Sequence, residues 1–353
     1  MPADRNDLRV LAEAAYPDVT AGSRVRVVEM ATHLAQLGVQ VDFAPSMTNA
    51  EYELISSPGV TPSKVIAVAR AFARSSRVPR PLAGLVLVHR LRSLLPALNE
   101  GAPLDVYDFD DALYVGSISP RDSRLGRFKR EATRCLSYLR RARLVLAGNR
   151  VLAEEARRHA RRVEIIPSCV NPGLQQLRRH READVLTLGW IGSRTTSAYL
   201  RPVLEVVGSL HAGGYPVRLV LMGASISLRA PWIEHRTWSP EAERRLLTEI
   251  DIGLMPLPDD PWTRGKCGFK LLRYFSAGLP TIASPVGVNR ELLTGGRGVS
   301  AGTAAEWSRG IVDLGRDAAA RGQIGARARD FVEREYSYGV WAPRVAELLR
   351  GLA

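Results

Sequence analysis

The chain has 353 residues, 46% of them apolar, and a formal net charge of +13 carried almost wholly by arginine, with only four lysines. That length suits two domains of ordinary size, each with a core of its own. No window approaches the roughly 18 consecutive apolar residues a membrane span needs, and the three scattered cysteines, Cys135, Cys169 and Cys267, show neither metal-ligand spacing nor a disulfide framework.

The first residues, MPADRNDLRVLAEAAYP, lack a basic-then-apolar signal pattern. A cytoplasmic protein of a reducing compartment is expected. Between Arg121 and Arg181, 17 arginines and lysines face 5 acids. Such a surface favours anionic partners, whether nucleotides, phosphorylated substrates or the inner face of an anionic membrane touched peripherally. Solvated helix faces explain the same arginines. No nucleic-acid module and little aromatic interleaving are present, so nucleic acid is not an expected partner.

In chain order, RVLAEAAYP reads as a strand, PDVTAGS as a loop, RVRVVEMATHLAQLG as a helix closed by Gly38, and VQVDFAP as a second strand. This is one βαβ unit. GLVLVHR (84–90) is an apolar run fit for a buried parallel strand. LDVYDFDDALYV and RLVLAGN (143–149) follow, then the helix RVLAEEARRHA with Asn149 near its start, and VEIIPSCV (163–170). The polar segment 171–184 reads as an interdomain linker.

A second series begins with the strand VLTLGWIGS, which ends in a glycine loop. The helix TSAYLRPVLEVVGSLHAGG, the strand VRLVLMGAS, the helix SPEAERRLLTEI capped by Ser239, the strand DIGLMPLP, the helix KLLRYFSAGLP and the strand TIASPV complete it. Strand–helix alternation in both halves implies α/β architecture with two doubly wound parallel sheets. Ligands of such sheets bind at the carboxyl ends of the strands, and a cleft between two of them is the default site.

GWIGS, RLVLMG and DIGLMPLPDDPWTRGKCGFKLLRYFSAGLPTIASPVGVN, in that order, resemble the nucleotide-sugar half of GT-B glycosyltransferases, in particular the retaining enzymes of family 4. DVYDFDDALYV and GSRVRVVEMATHLAQLG resemble the N-terminal half. The resemblance spans nearly the whole chain, and the stretch from Asp251 to Asn289 is its specific part. It implies a GT-B fold of two Rossmann-like domains facing a central cleft. The expected boundaries are 1–175 for an acceptor-binding domain, 176–325 for a nucleotide-sugar domain, and 326–353 for a helix crossing back.

The resemblance implies transfer of a sugar from a nucleotide-diphosphate donor to a hydroxyl acceptor, with retention and without a metal or other cofactor. The acceptor is a small molecule or a lipid-linked or glycan intermediate. Departing diphosphate gains charge that cations, hydroxyls and helix-start amides can stabilise. Lys266 and Lys270 of GKCGFK are expected to meet that charge, with Gly265 and Gly268 allowing close backbone approach. Gly192, Ser193, Thr195 and Thr196 of GWIGSRTTSAYL form the expected anion loop. An ordinary capped helix is the structural alternative there.

Most family members carry two glutamates with seven residues between them, one for the donor sugar and one for the nucleotide ribose. Those positions here are Gly265 and Arg273. A subgroup with a GK-x-x-x-K pattern is similar to this chain in lacking them.

In DFDDALY, the carboxylates Asp108, Asp110 and Asp111 invite a metal reading, which the GT-B pattern counts against. By position Asp110 replaces a family histidine and is expected to orient an acceptor hydroxyl or a donor sugar hydroxyl, so the resemblance makes it, with Lys266 and Lys270, an expected catalytic residue. Asp111 replaces an acid and is placed on the acceptor side with Gly22, Ser23, Arg26 and His89. Turn and cap roles are the alternative for all three aspartates. Two rival functions stand beside the transferase: a non-catalytic binding protein on the same fold, and a GT-B-like sugar-nucleotide epimerase, which needs placed acids and histidines that the second half scarcely offers.

Overall fold

The computed structural model describes residues 8–57, 59, 61–76, 84–96, 101–116 and 130–353. The N-terminal MPADRND and the 121–129 part of the basic stretch lie outside them. The chain divides into two compact units. The first comprises Met1–Cys169, Gly265–Cys267 and Tyr338–Ala353, and the second Val170–Arg264 and Gly268–Ser337. The breaks at 169/170 and 337/338 compare with the expected boundaries 175/176 and 325/326.

In the first unit six parallel strands form one sheet in the order β2-β1-β3-β4-β5-β6. They are β1 (Leu8–Ala14), β2 (Val39–Pro45), β3 (Leu85–His89), β4 (Val106–Phe109), β5 (Leu144–Ala147) and β6 (Val163–Ile165). The order reverses at β1/β3, so the carboxyl ends of these strands frame the ligand crevice of such a sheet. The apolar runs LRVLAEA and LVLVH are buried on both faces, as parallel strands between helical layers must be. The last helix, Tyr338–Arg350, belongs to this unit. Its Tyr338 hydroxyl bonds the Val25 carbonyl at 3.0 Å and Glu29 at 2.8 Å, and its ring stacks on His33.

The second unit carries β7 (Leu186–Ile191), β8 (Val217–Met222), β9 (Ile233–Arg236), β10 (Ile252–Met255), β11 (Thr281–Ala283) and β12 (Val299–Ser300). They pair in the parallel order β12-β11-β10-β7-β8-β9, the Rossmann order with its switch point at β7/β10. Period-2 alternation sorts the side chains. Leu188, Leu219, Leu221, Ile252 and Leu254 pack on one face with Val203, Val207, Trp307 and Ile311. Ile191, Val220, Met222 and Met255 pack on the other with Leu246, Leu271, Phe275 and Val332.

The segment expected as a linker is fastened to the second unit. Arg178 bonds the Thr248 carbonyl at 2.9 Å and Asp251 at 2.8 Å, His180 lies 2.9 Å from the Gly278 carbonyl, and Glu182 accepts from the Ala318 amide at 3.0 Å. The helix expected from Thr196 begins as a 3-10 stretch, Arg194–Leu200, and turns α-helical at Arg201–Ala212, where Pro202 sits in the first turn and needs no amide partner.

The fit of β10 against the helix Phe269–Ser276 leaves no slack. A β-carbon on Gly253 would stand 2.4 Å from the Tyr274 ring, and that ring is fully buried. Gly253→Ala is therefore expected to destabilise the second unit by about 1–3 kcal/mol, the usual cost of overpacking a core. Equilibrium urea unfolding checks it, and a wild-type midpoint would show the interface to be softer than drawn.

Candidate functional site

After β1 the chain turns through a loop closed by its own hydroxyls. Thr20 donates to the Pro17 carbonyl and Ser23 to the Tyr16 carbonyl, each at 2.8 Å. A helix follows as Ala21–Ser23, a π-helical stretch Arg24–Glu29, and Met30–Ala35. Widened turns of this kind recur at functional sites. Here the widened turn holds Arg26, whose buried guanidinium forks onto Asp108 at the end of β4. Nε donates to Oδ1 at 3.1 Å, Nη2 pairs with Oδ2, and Nη1 donates to the Ile166 carbonyl. Arg26 was expected on the acceptor side, and its charge is neutralised inside the unit instead. Ser23 is likewise committed to its loop.

Asp108 also holds His89, whose Nδ1 lies 2.7 Å from Oδ1. Burial alone would raise the Asp108 carboxyl, but the Arg26 charge and the His89 bond outweigh it and hold it below its ordinary value of 3.8. Burial opposes the charge on Arg26 too, yet Asp108 raises its pKa.

Directly after β3 comes a backbone departure. Arg90 has φ +59°, rare for a residue with a side chain. The Leu91 amide donates to the His89 carbonyl at 2.7 Å across it, making a γ-turn, while the Arg90 amide donates to the Asp108 carbonyl at 2.8 Å. Strain of this kind costs about 1–3 kcal/mol and persists where the surroundings over-determine it. The turn places the Arg90 guanidinium on two carboxylates: Nε bonds Asp110 Oδ1, and Nη2 lies 2.7 Å from Asp111 Oδ2. Arg90 charge, against the opposing effect of burial, pulls the Asp110 carboxyl far down. Gly22 packs over this group. A β-carbon there would meet the Arg90 guanidinium at 3.0 Å and His89 Nε2 at 3.1 Å.

The GKC segment belongs to the same unit. Lys266 Nζ lies 3.2 Å from Asp111 Oδ1. The Asn149 side-chain amide donates to the Gly265 carbonyl at 2.9 Å and the Lys266 carbonyl at 3.2 Å, while its oxygen caps the helix Arg150–Arg157. Cys267 Sγ donates to the Asp110 carbonyl at 3.2 Å. Burial pushes its thiol well up, so it is no nucleophile. Gly265 is required by packing, since a β-carbon would stand 2.6 Å from that of Ala112. The sequence marked Asn149 only as a helix start, and its clamp on 265–267 carried no local signal.

In the second unit Ser193 begins the turn after β7. Its hydroxyl lies 2.9 Å from that of Thr195, its amide donates to the Thr196 hydroxyl at 3.2 Å, and Ser193 and Thr195 are exposed. A β-carbon on Gly192 would stand 2.2 Å from the Trp190 ring. The same ring lies under Lys270, whose Nζ is 4.9 Å from its centroid, a cation–π contact. One buried indole, which the sequence reading passed over, thus lies against both Gly192 and Lys270. Gly268, at φ +65°, caps the helix that carries Lys270. On that helix Arg273 donates to buried Glu243 at 2.7 Å, and Trp238 Nε1 donates to the other Glu243 oxygen. Among the described residues no group of three or more His, Cys, Asp or Glu side chains is arranged to hold a metal ion. Asp108 and Asp110 each face an arginine.

No family model matches the chain, and no curated protein matches it. Solved structures do. Sucrose-phosphate synthase from Thermosynechococcus elongatus aligns at a TM-score of 0.74 with 15% identity, over 98% of this chain and 99% of that one. WaaG, a glycosyltransferase involved in lipopolysaccharide biosynthesis, aligns at 0.69 with 14% identity, over 98% and 100%. Anabaena HepE, solved with UDP and glucose, aligns at 0.65 with 15% identity, over 97% and 99%. The fold is GT-B. At these identities the likeness concerns the fold and leaves residue roles to the geometry. In this GT-B chain the expected site residues form two groups: Gly22, His89, Asp110, Asp111 and Lys266 with Arg26 and Asp108 in the first unit, and Gly192, Ser193, Thr195, Thr196, Gly268 and Lys270 in the second.

Asp108→Asn leaves the Arg26 guanidinium buried against a neutral group, and breaking a buried pair in this way costs about 3–5 kcal/mol. The Asp108 carboxylate has a depressed folded pKa, so its contribution is complete above 3.8 and is lost as pH falls through the lower folded value. Urea unfolding at neutral pH is expected to show the full gap between wild type and variant, and the gap is expected to narrow at acid pH. A gap that does not depend on pH would contradict the ion-pair account.

Proposed function

We propose that the protein is a glycosyltransferase that moves a sugar from a nucleotide-diphosphate donor to a hydroxyl acceptor. One observation carries the reading: at the β7/β10 switch point, the loop after β7 offers the exposed Ser193 and Thr195 hydroxyls, and Trp190, against which Gly192 at the start of that loop packs, also carries the Lys270 ammonium on its face. Such a grouping suits a diphosphate, because hydroxyls and amides at a helix start donate to phosphate oxygens and the cation offsets their charge. GT-B structures with UDP, and with UDP-glucose, in HepE support the choice of ligand.

In this reading Ser193, Thr195, Thr196 and Lys270 hold the diphosphate in the second unit. Asp110 and Asp111 take sugar or acceptor hydroxyls in the first unit, since carboxylates accept hydrogen bonds from them. Arg90 and Lys266 hold those carboxylates. Lys266, expected on the phosphates, is assigned here to Asp111 because its ammonium lies on that carboxylate. The transfer is proposed to retain configuration and to proceed without a metal, the departing phosphate taking the acceptor's proton. The Cys267 thiol is withdrawn from nucleophilic work by burial, which fits a mechanism with no enzyme-bound intermediate.

Calorimetry with UDP, GDP, dTDP and ADP in the absence of metal tests this. One nucleotide is expected to bind, about tenfold more weakly to Lys270→Ala, a loss near 1.4 kcal/mol, and within about twofold of wild type to Lys266→Ala, which takes one of two cations from Asp111 in the first unit. Absence of any nucleotide binding, or indifference to Lys270, would overturn the reading. NMR of the anomeric proton of the product reads retention or inversion directly.

A further inference from the structure

His89 ends β3 with its ring buried, 1% exposed. Asp108, ionised beside Arg26, can only accept, so the Nδ1 facing it at 2.7 Å carries a proton. The other ring nitrogen has no hydrogen-bond partner among the described residues although it is buried. It lies 4.0 Å from Asp110 Oδ1 and beside Gly22, where a β-carbon would stand 3.1 Å away. A buried polar atom left unbonded costs about 1–3 kcal/mol, so a native structure that keeps one calls for a reason.

The charged and titratable groups around the ring have other bonds. Arg26 is on Asp108 and the Ile166 carbonyl, Arg90 on Asp110 and Asp111, Lys266 on Asp111, and the Cys267 thiol on the Asp110 carbonyl. Both ring nitrogens thus face carboxylates, one in contact and one standing off. Bare, Nε2 and Asp110 Oδ1 are both acceptors, 4.0 Å apart with no proton to share. With a proton from solvent on Nε2, the same two atoms attract and need close by only about 1 Å to reach hydrogen-bond distance.

We propose that His89 is a positioning residue for Asp110: a proton on Nε2 bonds Asp110 Oδ1 and fixes that carboxylate to receive a sugar hydroxyl. The hydroxyl rests on the glycosyltransferase reading, whereas the His89–Asp110 bond does not. Arg26 and Asp108 serve it by fixing the ring through Nδ1, and Gly22 serves it by keeping side-chain atoms away from Nε2.

Two experiments on the full chain decide it. With 15N-labelled histidine, Asp110→Asn is expected to move the His89 Nε2 resonance toward the bare-nitrogen value at neutral pH while Nδ1 keeps its proton. An unmoved Nε2 overturns the bond. UDP release from UDP-glucose, with water as acceptor, reads the function. His89→Asn keeps a donor toward Asp108 but deletes the Nε2 position. It is expected to hold the wild-type melting temperature, raise the KM for UDP-glucose about tenfold with kcat within about threefold, and leave UDP affinity unchanged, the signature of lost uniform binding. His89→Gln, which keeps a polar nitrogen near Nε2, is expected to recover part of the KM. A wild-type KM in His89→Asn overturns the positioning role. A wild type that binds none of the four nucleoside diphosphates counts against the glycosyltransferase reading instead, and the nitrogen resonance then decides the His89–Asp110 bond alone.

Discussion

Asp108 is a carboxylate with almost no contact with water, and it joins three strand ends of the first sheet. Removing a carboxylate from water costs several kcal/mol unless its oxygens are well matched. Here they are: Arg26 forks onto both, from the helix after β1, and His89 adds a bond from β3. Arg26 also reaches the Ile166 carbonyl just past β6. One charge therefore fixes the relative placement of the ends of β1, β3, β4 and β6, the ends at which a sheet of this order offers its ligand crevice. The γ-turn at Arg90 follows from that arrangement, because its amide is tied to the Asp108 carbonyl at the same point.

The two units treat charge differently. Around the β3 and β4 ends of the first unit, three carboxylates (Asp108, Asp110, Asp111) meet three basic side chains (Arg26, Arg90, Lys266). Such a cluster has little net attraction for an anion, but its oriented carboxylate oxygens are good acceptors for hydroxyls. In the second unit the exposed groups at the β7 end are the Ser193 and Thr195 hydroxyls and the Arg194 guanidinium, and an ammonium lies over an indole face beside Gly192. That environment favours an anion. A hydroxyl-reading group and an anion-reading group are the two capacities that a sugar transfer from a nucleotide donor requires.

How much of this the sequence disclosed depends on the range of the interaction. Apolar runs such as LVLVH and TLGWI announced central parallel strands, because strands buried on both faces leave no polar alternation. The short edge strands β9 and β12 have no such run and went unread. The Arg26–Asp108 pair spans 82 positions, and no local pattern can announce it; Arg26 was placed on the acceptor side for that reason. Lys266 and Lys270, four residues apart in GKCGFK, were read together as cations that meet the diphosphate. Gly268, in the left-handed region, starts the helix between them. Lys266 thus precedes the helix and belongs to the first unit, while Lys270 lies within the helix and belongs to the second.

At position 273 the direction of the hydrogen bond on offer differs from what the resemblance implies. The family resemblance places a carboxylate there, an acceptor for ribose hydroxyls. This chain has Arg273, about a fifth exposed, with buried Glu243 behind it. Both Glu243 oxygens are occupied, one by Arg273 Nε and one by the Trp238 indole. The carboxylate that this part of the fold retains is turned inward as a counter-ion, and what faces solvent is a guanidinium, which can only donate. A hydroxyl can satisfy a donor as readily as an acceptor, since it carries both a proton and lone pairs. An arginine at this position therefore offers a hydroxyl a donor where a glutamate would offer an acceptor, and its positive charge lies on the helix that also carries Lys270.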